Sequence, residues 1–191
     1  MESPWETLSL SALATRIWTT LAQAIDEPAN PWRTPVLATS GPAGPNARTV
    51  VLRGVTRPGY ELLAFSDART AKVVELTAEP RAAWLFYDPQ ERVQLRAVTT
   101  VRLHTADAVA QRYWHRLPAV NRCQYQSANP PGRTVAAPAD GHILTPGDAG
   151  HLTVIVATVE ALDWLWLGPE QHRRARFARQ AGEWCGGWQV P

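Results

Sequence analysis

The sequence predicts a mainly β fold (α+β), an antiparallel barrel with peripheral helices. Three observations carry that expectation. Strand-type runs recur at short spacing with few helices between them. Residues 92–104 alternate, with Val93, Leu95, Ala97, Thr99 and Val101 on one face and Gln94, Arg96, Val98, Thr100 and Arg102 on the other. No strand-type run leads into GxGxxG or GxxxxGK[ST], which argues against a doubly wound nucleotide fold.

The elements follow in order. Leu10, Leu13, Ala14, Ile17, Trp18, Leu21 and Ile25 recur at spacings of three and four, predicting an amphipathic helix within residues 1–28. Ser9 or Ser11 is placed to cap it, and Pro28, Pro31 and Pro35 end it. Residues 34–39 read as a short strand. A turn at Gly41-Pro42-Ala43-Gly44-Pro45-Asn46 leads into a strand over 47–55, and Arg57-Pro58-Gly59 turns back into one over 60–66. Residues 69–78 have helical character, with Thr70 or Asp67 near the start and Pro80 closing the segment. Residues 82–87 and 92–104 form a hairpin across Asp88-Pro89-Gln90-Glu91. Thr105 can cap a helix over 106–117. Residues 118–150 are the longest irregular stretch, rich in Pro, Gly, Ala and Asn, and a loop of that length is usually functional or disordered. Strands over 152–160 and 161–167, a basic segment over 172–179 and a last strand near 184–190 complete the chain.

With 191 residues and 45% hydrophobic content, the chain is expected to form one domain over residues 1–191 with a full core. Nineteen Lys+Arg face 17 Asp+Glu, a net +2. That balance, without a basic run interleaved with aromatics, argues against nucleic acid as a partner. Lys72 is the only lysine, and arginine forks suit planar recognition of phosphate and carboxylate. No apolar run approaches the ~20 residues of a membrane helix. The N-terminus lacks the basic and apolar regions of a signal peptide. Cys123 and Cys185 have no CxxC or Cys/His zinc spacing, so unpaired thiols in a cytoplasmic protein and no metal site are expected. Nine tryptophans suit core and interface packing, and such rings also suit a flat cofactor.

The chemistry-bearing residues fall in three places. Arg48-Thr49-Val50-Val51-Leu52-Arg53 is an apolar β-type run with an arginine at each end, which alone reads as a strand with solvated ends. Phe65-Ser66-Asp67-Ala68-Arg69-Thr70-Ala71-Lys72 sets two hydroxyls and a lysine at the start of a helix, where N–H groups and the helix dipole favour an anion. Gln94 lies between Arg92 and Arg96, and its amide can donate and accept together.

In order and spacing these motifs resemble the pyridoxamine 5′-phosphate oxidase family of FMN-binding split barrels, over roughly residue 34 to the C-terminus. The resemblance implies a split barrel that binds FMN and acts as an oxidoreductase, with a homodimer whose FMN sites lie at the subunit interface. It implies cofactor contacts from Arg48, Thr49, Val50, Val51, Leu52, Arg53, Phe65, Ser66, Thr70, Lys72 and Gln94. Gln126-Ser127 in the long loop look like the family's Gln-Ser pair, which holds the phosphate from the neighbouring subunit. Trp166 and Arg176 match flavin-contacting places in a C-terminal block. Arg53, Tyr113, His172 and Arg174 fall at substrate positions.

The chain also departs from the family pattern. Arg53 stands where lysine is usual, and Ala71 stands where a phosphate-binding arginine is usual, with Arg69 two positions earlier as a candidate substitute. The Arg-x-His substrate pair becomes His172-Arg173-Arg174, and Leu117 falls where a substrate arginine is expected. Cofactor residues thus match better than substrate residues, as in a divergent branch without vitamin B6 chemistry. Two other readings stand beside an FMN oxidoreductase. One is a protein that binds or carries FMN without turnover. The other is a barrel that binds haem or the deazaflavin F420, or serves only as a scaffold.

Overall fold

The structure is a computed structural model and describes residues 3–142, 144–145, 150–180 and 182–191. Helix α1 (Leu10–Asp26) starts at Ser9, whose hydroxyl accepts from the Ala12 N–H, and buries Leu13, Ile17, Trp18, Leu21 and Ala24. Among the described residues nine antiparallel strands follow: β1 (Val36–Gly41), β2 (Gly44–Thr49), β3 (Gly54–Thr56), β4 (Glu61–Asp67), β5 (Arg81–Asp88), β6 (Val93–Thr105), β7 (Leu152–Leu167), β8 (His172–Gln180) and β9 (Glu183–Gln189). Helix α2 (Ala71–Ala78) links β4 to β5. Helix α3 (Ala108–Arg116) and the single turn α4 (Ala119–Arg122) follow β6. The strands form one sheet in the order β2-β1-β5-β6-β7-β4-β3, with β8 on β7 and β9 on β8.

The long β6–β7 ladder organises this sheet, pairing Val93 with Trp166 at one end and Thr105 with Thr153 at the other. The free side of β7 is shared: residues from Leu152 to Thr158 pair with β4, and residues from Ala161 to Leu167 pair with β8. Strands expected separately over 152–160 and 161–167 are therefore one strand. The apparent break is a bulge, because Thr99 pairs with Val159 and Val98 with Ala161, leaving Glu160 extra. The alternation expected over 93–102 is observed: Val93, Leu95, Ala97, Thr99 and Val101 are buried, and Arg96, Val98 and Arg102 are exposed.

Two expected elements differ. The strand expected over 47–55 is interrupted, since Val50–Arg53 lie outside β2 and β3. There the chain changes partners: Val50 and Leu52 donate N–H bonds to the Pro35 and Arg33 carbonyls, and Arg53 donates to Leu63 on β4. This stretch spans the split between the two ends of the sheet. The cap of α3 is Asp107, not Thr105, and its carboxylate accepts from the Ala110 N–H. The loop over 118–150 also contains local structure: after α4 come 3-10 turns at Cys123–Tyr125 and Pro138–His142. Positions 143 and 146–149 of that loop lie outside the described residues.

The core fills the barrel. Trp5 lies 6.0 Å from Trp32 and 5.9 Å from Trp164, and Trp18 from α1 lies 4.9 Å from Tyr60. A second cluster on the other face of β4 and β7 holds Leu63, Trp114, Leu117, Tyr125, Leu152, Val154 and Val156. Cys123 and Cys185 are both free thiols.

Candidate functional site

At the end of β4 the chain turns through Asp67–Thr70 into α2. Lys72 Nζ donates to Ser66 Oγ at 3.1 Å, and the Ser66 and Thr70 hydroxyls lie 3.0 Å apart. Thr70 occupies the N-cap position of α2 but turns its hydroxyl to the Asp67 carbonyl, 2.8 Å away, leaving the helix start without a side-chain cap. Lys72 is half-buried and has no ion-pair partner among the described residues. Burial, with the charge of nearby Arg48, pushes its ammonium below the usual lysine range. Two hydroxyls, an ammonium and an uncapped helix N-terminus suit a phosphate monoester.

Arg48, expected at the phosphate, is held close to this region by neighbours within the chain. Its guanidinium is held by its own barrel: Nη2 lies 3.1 Å from Glu75 Oε2 and Nη1 donates to Thr39 Oγ1. Glu75, buried on α2, also accepts from Thr39 Oγ1 at 2.5 Å and Asn46 Nδ2 at 2.6 Å. Those hydrogen bonds, with Arg48 among them, hold its carboxyl below the usual glutamate range despite burial. Glu75 thus anchors Arg48 and was missed in the sequence. Its signal is an acidic residue at a buried position of α2, beside Val73 and Leu76.

Arg69, the candidate substitute for the arginine missing at Ala71, has partners of its own. Arg69 forks onto Asp67, with Nε 3.0 Å from Oδ1 and Nη2 2.7 Å from Oδ2, and reaches the Ser127 and Ala128 carbonyls of the long loop. Burial pushes Asp67 up, but the Arg69 side-chain and backbone hydrogen bonds outweigh it and leave the carboxyl below its usual range.

Along the Val50–Arg53 stretch, Val50 and Leu52 are buried in the barrel core. Thr49 is exposed, and Val51 and Arg53 are intermediate. The Arg53 guanidinium lies 5.9 Å from the Phe65 ring centroid, and Phe65 lies 5.3 Å from Tyr113. Arg53, Phe65 and Tyr113 thus form a contiguous group beside the Ser66 turn. Leu117, where a substrate arginine was expected, is buried in the second cluster.

The remaining candidates lie elsewhere. Gln94 pairs across the ladder with Leu165, whereas Ser66 pairs with Thr153. The two positions are separated by roughly 35 Å of strand at ~3.3 Å per residue. Around Gln94 the sheet carries Arg96, Asp163, Arg174 and Arg176. Asp163 receives Arg174 at 2.9 and 2.8 Å and Arg96 at 2.6 Å. Arg174 is therefore committed to Asp163, while His172 and Arg176 are exposed. Trp166, expected against a flavin, is buried in the core, and Gly168 leaves room for its ring: an added Cβ would come within 2.5 Å. One chain brings Ser66, Thr70, Lys72, Arg53 and Phe65 together, with Ser127 joined through Arg69. It does not bring Gln94, Trp166, His172, Arg174 or Arg176 to them.

The hydrogen bonds from Arg174 hold Asp163 below the usual aspartate range. Carboxyls lowered by folding contribute stability that is present above about pH 4 and lost as pH falls through their folded values. The melting temperature of cofactor-free protein is expected to fall steeply on acidification below about pH 4, and Asp163→Asn is expected to flatten that fall. An unchanged slope would show that the Asp163 pair adds nothing.

The fold is a split barrel, and the turn into α2 gathers Ser66, Thr70 and Lys72 at one helix start. Residues 15–105 match the pyridoxamine 5′-phosphate oxidase, FMN-binding domain. A pyridoxine/pyridoxamine 5′-phosphate oxidase of Granulibacter bethesdensis is 27% identical over 175 residues, 78% of this chain and 76% of that protein. Its counterpart in Coxiella burnetii is 40% identical over 62 residues, only 32% of this chain and 31% of that protein. A pyridoxamine 5′-phosphate oxidase-related, FMN binding protein of Nostoc punctiforme shares the fold with TM-score 0.78 at 23% identity, covering 97% of this chain and 100% of its own. Among the described residues, no helix is long and apolar enough to cross a membrane, and no group of three or more His, Cys, Asp or Glu could hold a metal ion.

Proposed function

We propose that the protein is an FMN-dependent oxidoreductase of the cytoplasm, working as a homodimer on a substrate other than pyridoxamine phosphate. The observation that carries this reading is the Ser66–Thr70–Lys72 cluster at the uncapped start of α2, in a chain whose residues 15–105 match an FMN-binding domain. Lys72 and the first turn of α2 would hold the phosphate. Glu75 keeps the Arg48 guanidinium beside it. Val51, Arg53 and Phe65 would face the ring, and the Gln94 amide suits a ring edge that needs both a donor and an acceptor. Bound FMN would supply hydride acceptance from the substrate, with oxygen or another acceptor restoring it.

The dimer is supported by the separation of the two clusters along the β6–β7 ladder, because a second copy would supply Gln94 and Arg176 to the first copy's phosphate turn. The sheet face around Gln94 leaves Leu85, Tyr87 and Val98 at 36%, 46% and 43% exposure, which suits an interface. The visible spectrum and solution mass test this reading: purified protein is expected to be yellow, with flavin bands, at twice the chain mass. Colourless protein that fails to bind added FMN would sink it.

A second reading is FMN binding without turnover. It is favoured by the substrate positions, where Leu117 is buried and Arg174 is tied to Asp163. It predicts bound flavin that NAD(P)H does not reduce and no oxidation of pyridoxamine phosphate.

A further inference from the structure

We infer that Asp67 and Arg69 form a latch that docks the long loop onto the phosphate turn, making Arg69 a positioning residue for the cofactor's phosphate. The inference rests on the FMN reading above. The turn and the loop are far apart in sequence, and Arg69 is the side chain that joins them. Three of its contacts go to Asp67: the backbone N–H to Oδ1 at 2.8 Å, Nε to Oδ1 at 3.0 Å and Nη2 to Oδ2 at 2.7 Å. Two go to the loop, to the Ser127 carbonyl at 2.9 Å and the Ala128 carbonyl at 3.4 Å. Asp67 is only 6% exposed, so its charge depends on this partner.

The loop is shaped to be held there. Tyr125 is buried in the second cluster, and its carbonyl accepts the His151 N–H at 2.8 Å. The His151 carbonyl in turn accepts the Ala68 N–H at 2.7 Å, inside the turn. Gly150 makes that close passage possible: it sits at φ +55, and a Cβ there would lie 2.3 Å from the Tyr125 carbonyl. Ser127 is braced on its far side, where its hydroxyl donates to the Gly141 carbonyl at 3.1 Å. The loop is thus tied to the turn by backbone bonds at one edge and by the Arg69 fork at the other. Gln126 lies between the Tyr125 and Ser127 ties, and Arg69, which makes the second, directly precedes Thr70 of the anion cluster.

This arrangement gives the chain another way to complete a phosphate site that has Ala71 in place of a direct ligand. Arg69 spends its donors on Asp67 and the loop, so it acts on the phosphate through the loop's position. A bidentate fork is required, because one group must satisfy both Asp67 oxygens and still reach two carbonyls.

The test compares FMN with riboflavin, which lacks the phosphate, by titration of the cofactor-free protein. Arg69→Ala is expected to weaken FMN binding about tenfold, the effect of losing one charge-assisted tie, while riboflavin binding changes by less than about twofold. Trypsin is expected to cut the variant faster at Arg122 and Arg133 in the loop. Arg69→Lys keeps the charge without the fork and is expected to behave like Arg69→Ala. Equal weakening of both flavins, or wild-type FMN affinity in either variant, would overturn the latch. If Arg69→Ala does not fold, Asp67→Asn in the same titration decides the matter. Wild-type protein that binds neither flavin overturns the FMN reading itself, which separates the two failures.

Discussion

Replacing Lys72 with methionine is expected to lower FMN affinity about ten- to a hundredfold and to leave riboflavin affinity within about twofold. A hydrogen bond to a charged group contributes roughly 1.5–3 kcal/mol, and each 1.4 kcal/mol is a factor of ten. The full effect is expected here because Lys72, at the first turn of α2, has no ion-pair partner among the described residues to share its charge. Arg48 is shared with Glu75, and Arg69 with Asp67. Burial already pushes the lysine ammonium toward losing its proton, so a bound dianion gains from restoring full charge in a partly dry site. Methionine keeps the length and apolar stem of lysine, so the fold is expected to survive. Flavin titration of the cofactor-free variant checks the prediction. Equal loss of riboflavin and FMN would mean that Lys72 supports the pocket rather than the phosphate.

The second large effect is on stability. Trp164→Ala is expected to destabilise the protein by about 3–5 kcal/mol, as other large buried aromatics do when truncated. Trp164 is fully buried, lies 5.9 Å from Trp5 and shares the core with Trp32 and Phe86. The loss would also loosen the segment before α1, which is held as well by Arg173 hydrogen bonds to the Trp5, Glu6 and Leu8 carbonyls. For a chain of this size, the change corresponds to a melting temperature lower by about 10 °C. Urea unfolding measures it, and a loss under about 2 kcal/mol would show that neighbouring tryptophans close the cavity.

Much of this architecture was legible in the sequence because it is written in short-range periodicity. The buried and exposed faces of β6, the amphipathic stripe of α1 and the Ser66–Lys72 turn each depend on residues a few positions apart. The missed features depend on partners far along the chain. Nothing near Arg48 announces Glu75, and nothing near Arg69 announces the Ser127 carbonyl, so both arginines looked available for phosphate. Arg174 looked available for substrate because Asp163 is its partner only across the β7–β8 ladder. Alternation could not reveal that Val50–Arg53 changes ladder partners, since the side chains keep alternating while the backbone bonds move from Arg33 and Pro35 to Leu63. It could not join the halves of β7 either, because a bulge reverses the phase of the pattern at Glu160.

The β6–β7 ladder also sets a timetable for synthesis. Strand β6 leaves the ribosome with only β5 to pair with, and its other edge must wait for β7, roughly 60 residues later. At translation speeds of about 5–20 residues per second, that edge stays unpaired for several seconds. Strand β4 waits longer, since it too needs β7. A nascent chain halted before Leu152 would therefore present two open, largely apolar strands, and slow codons or a stall within residues 106–151 would favour aggregation over folding.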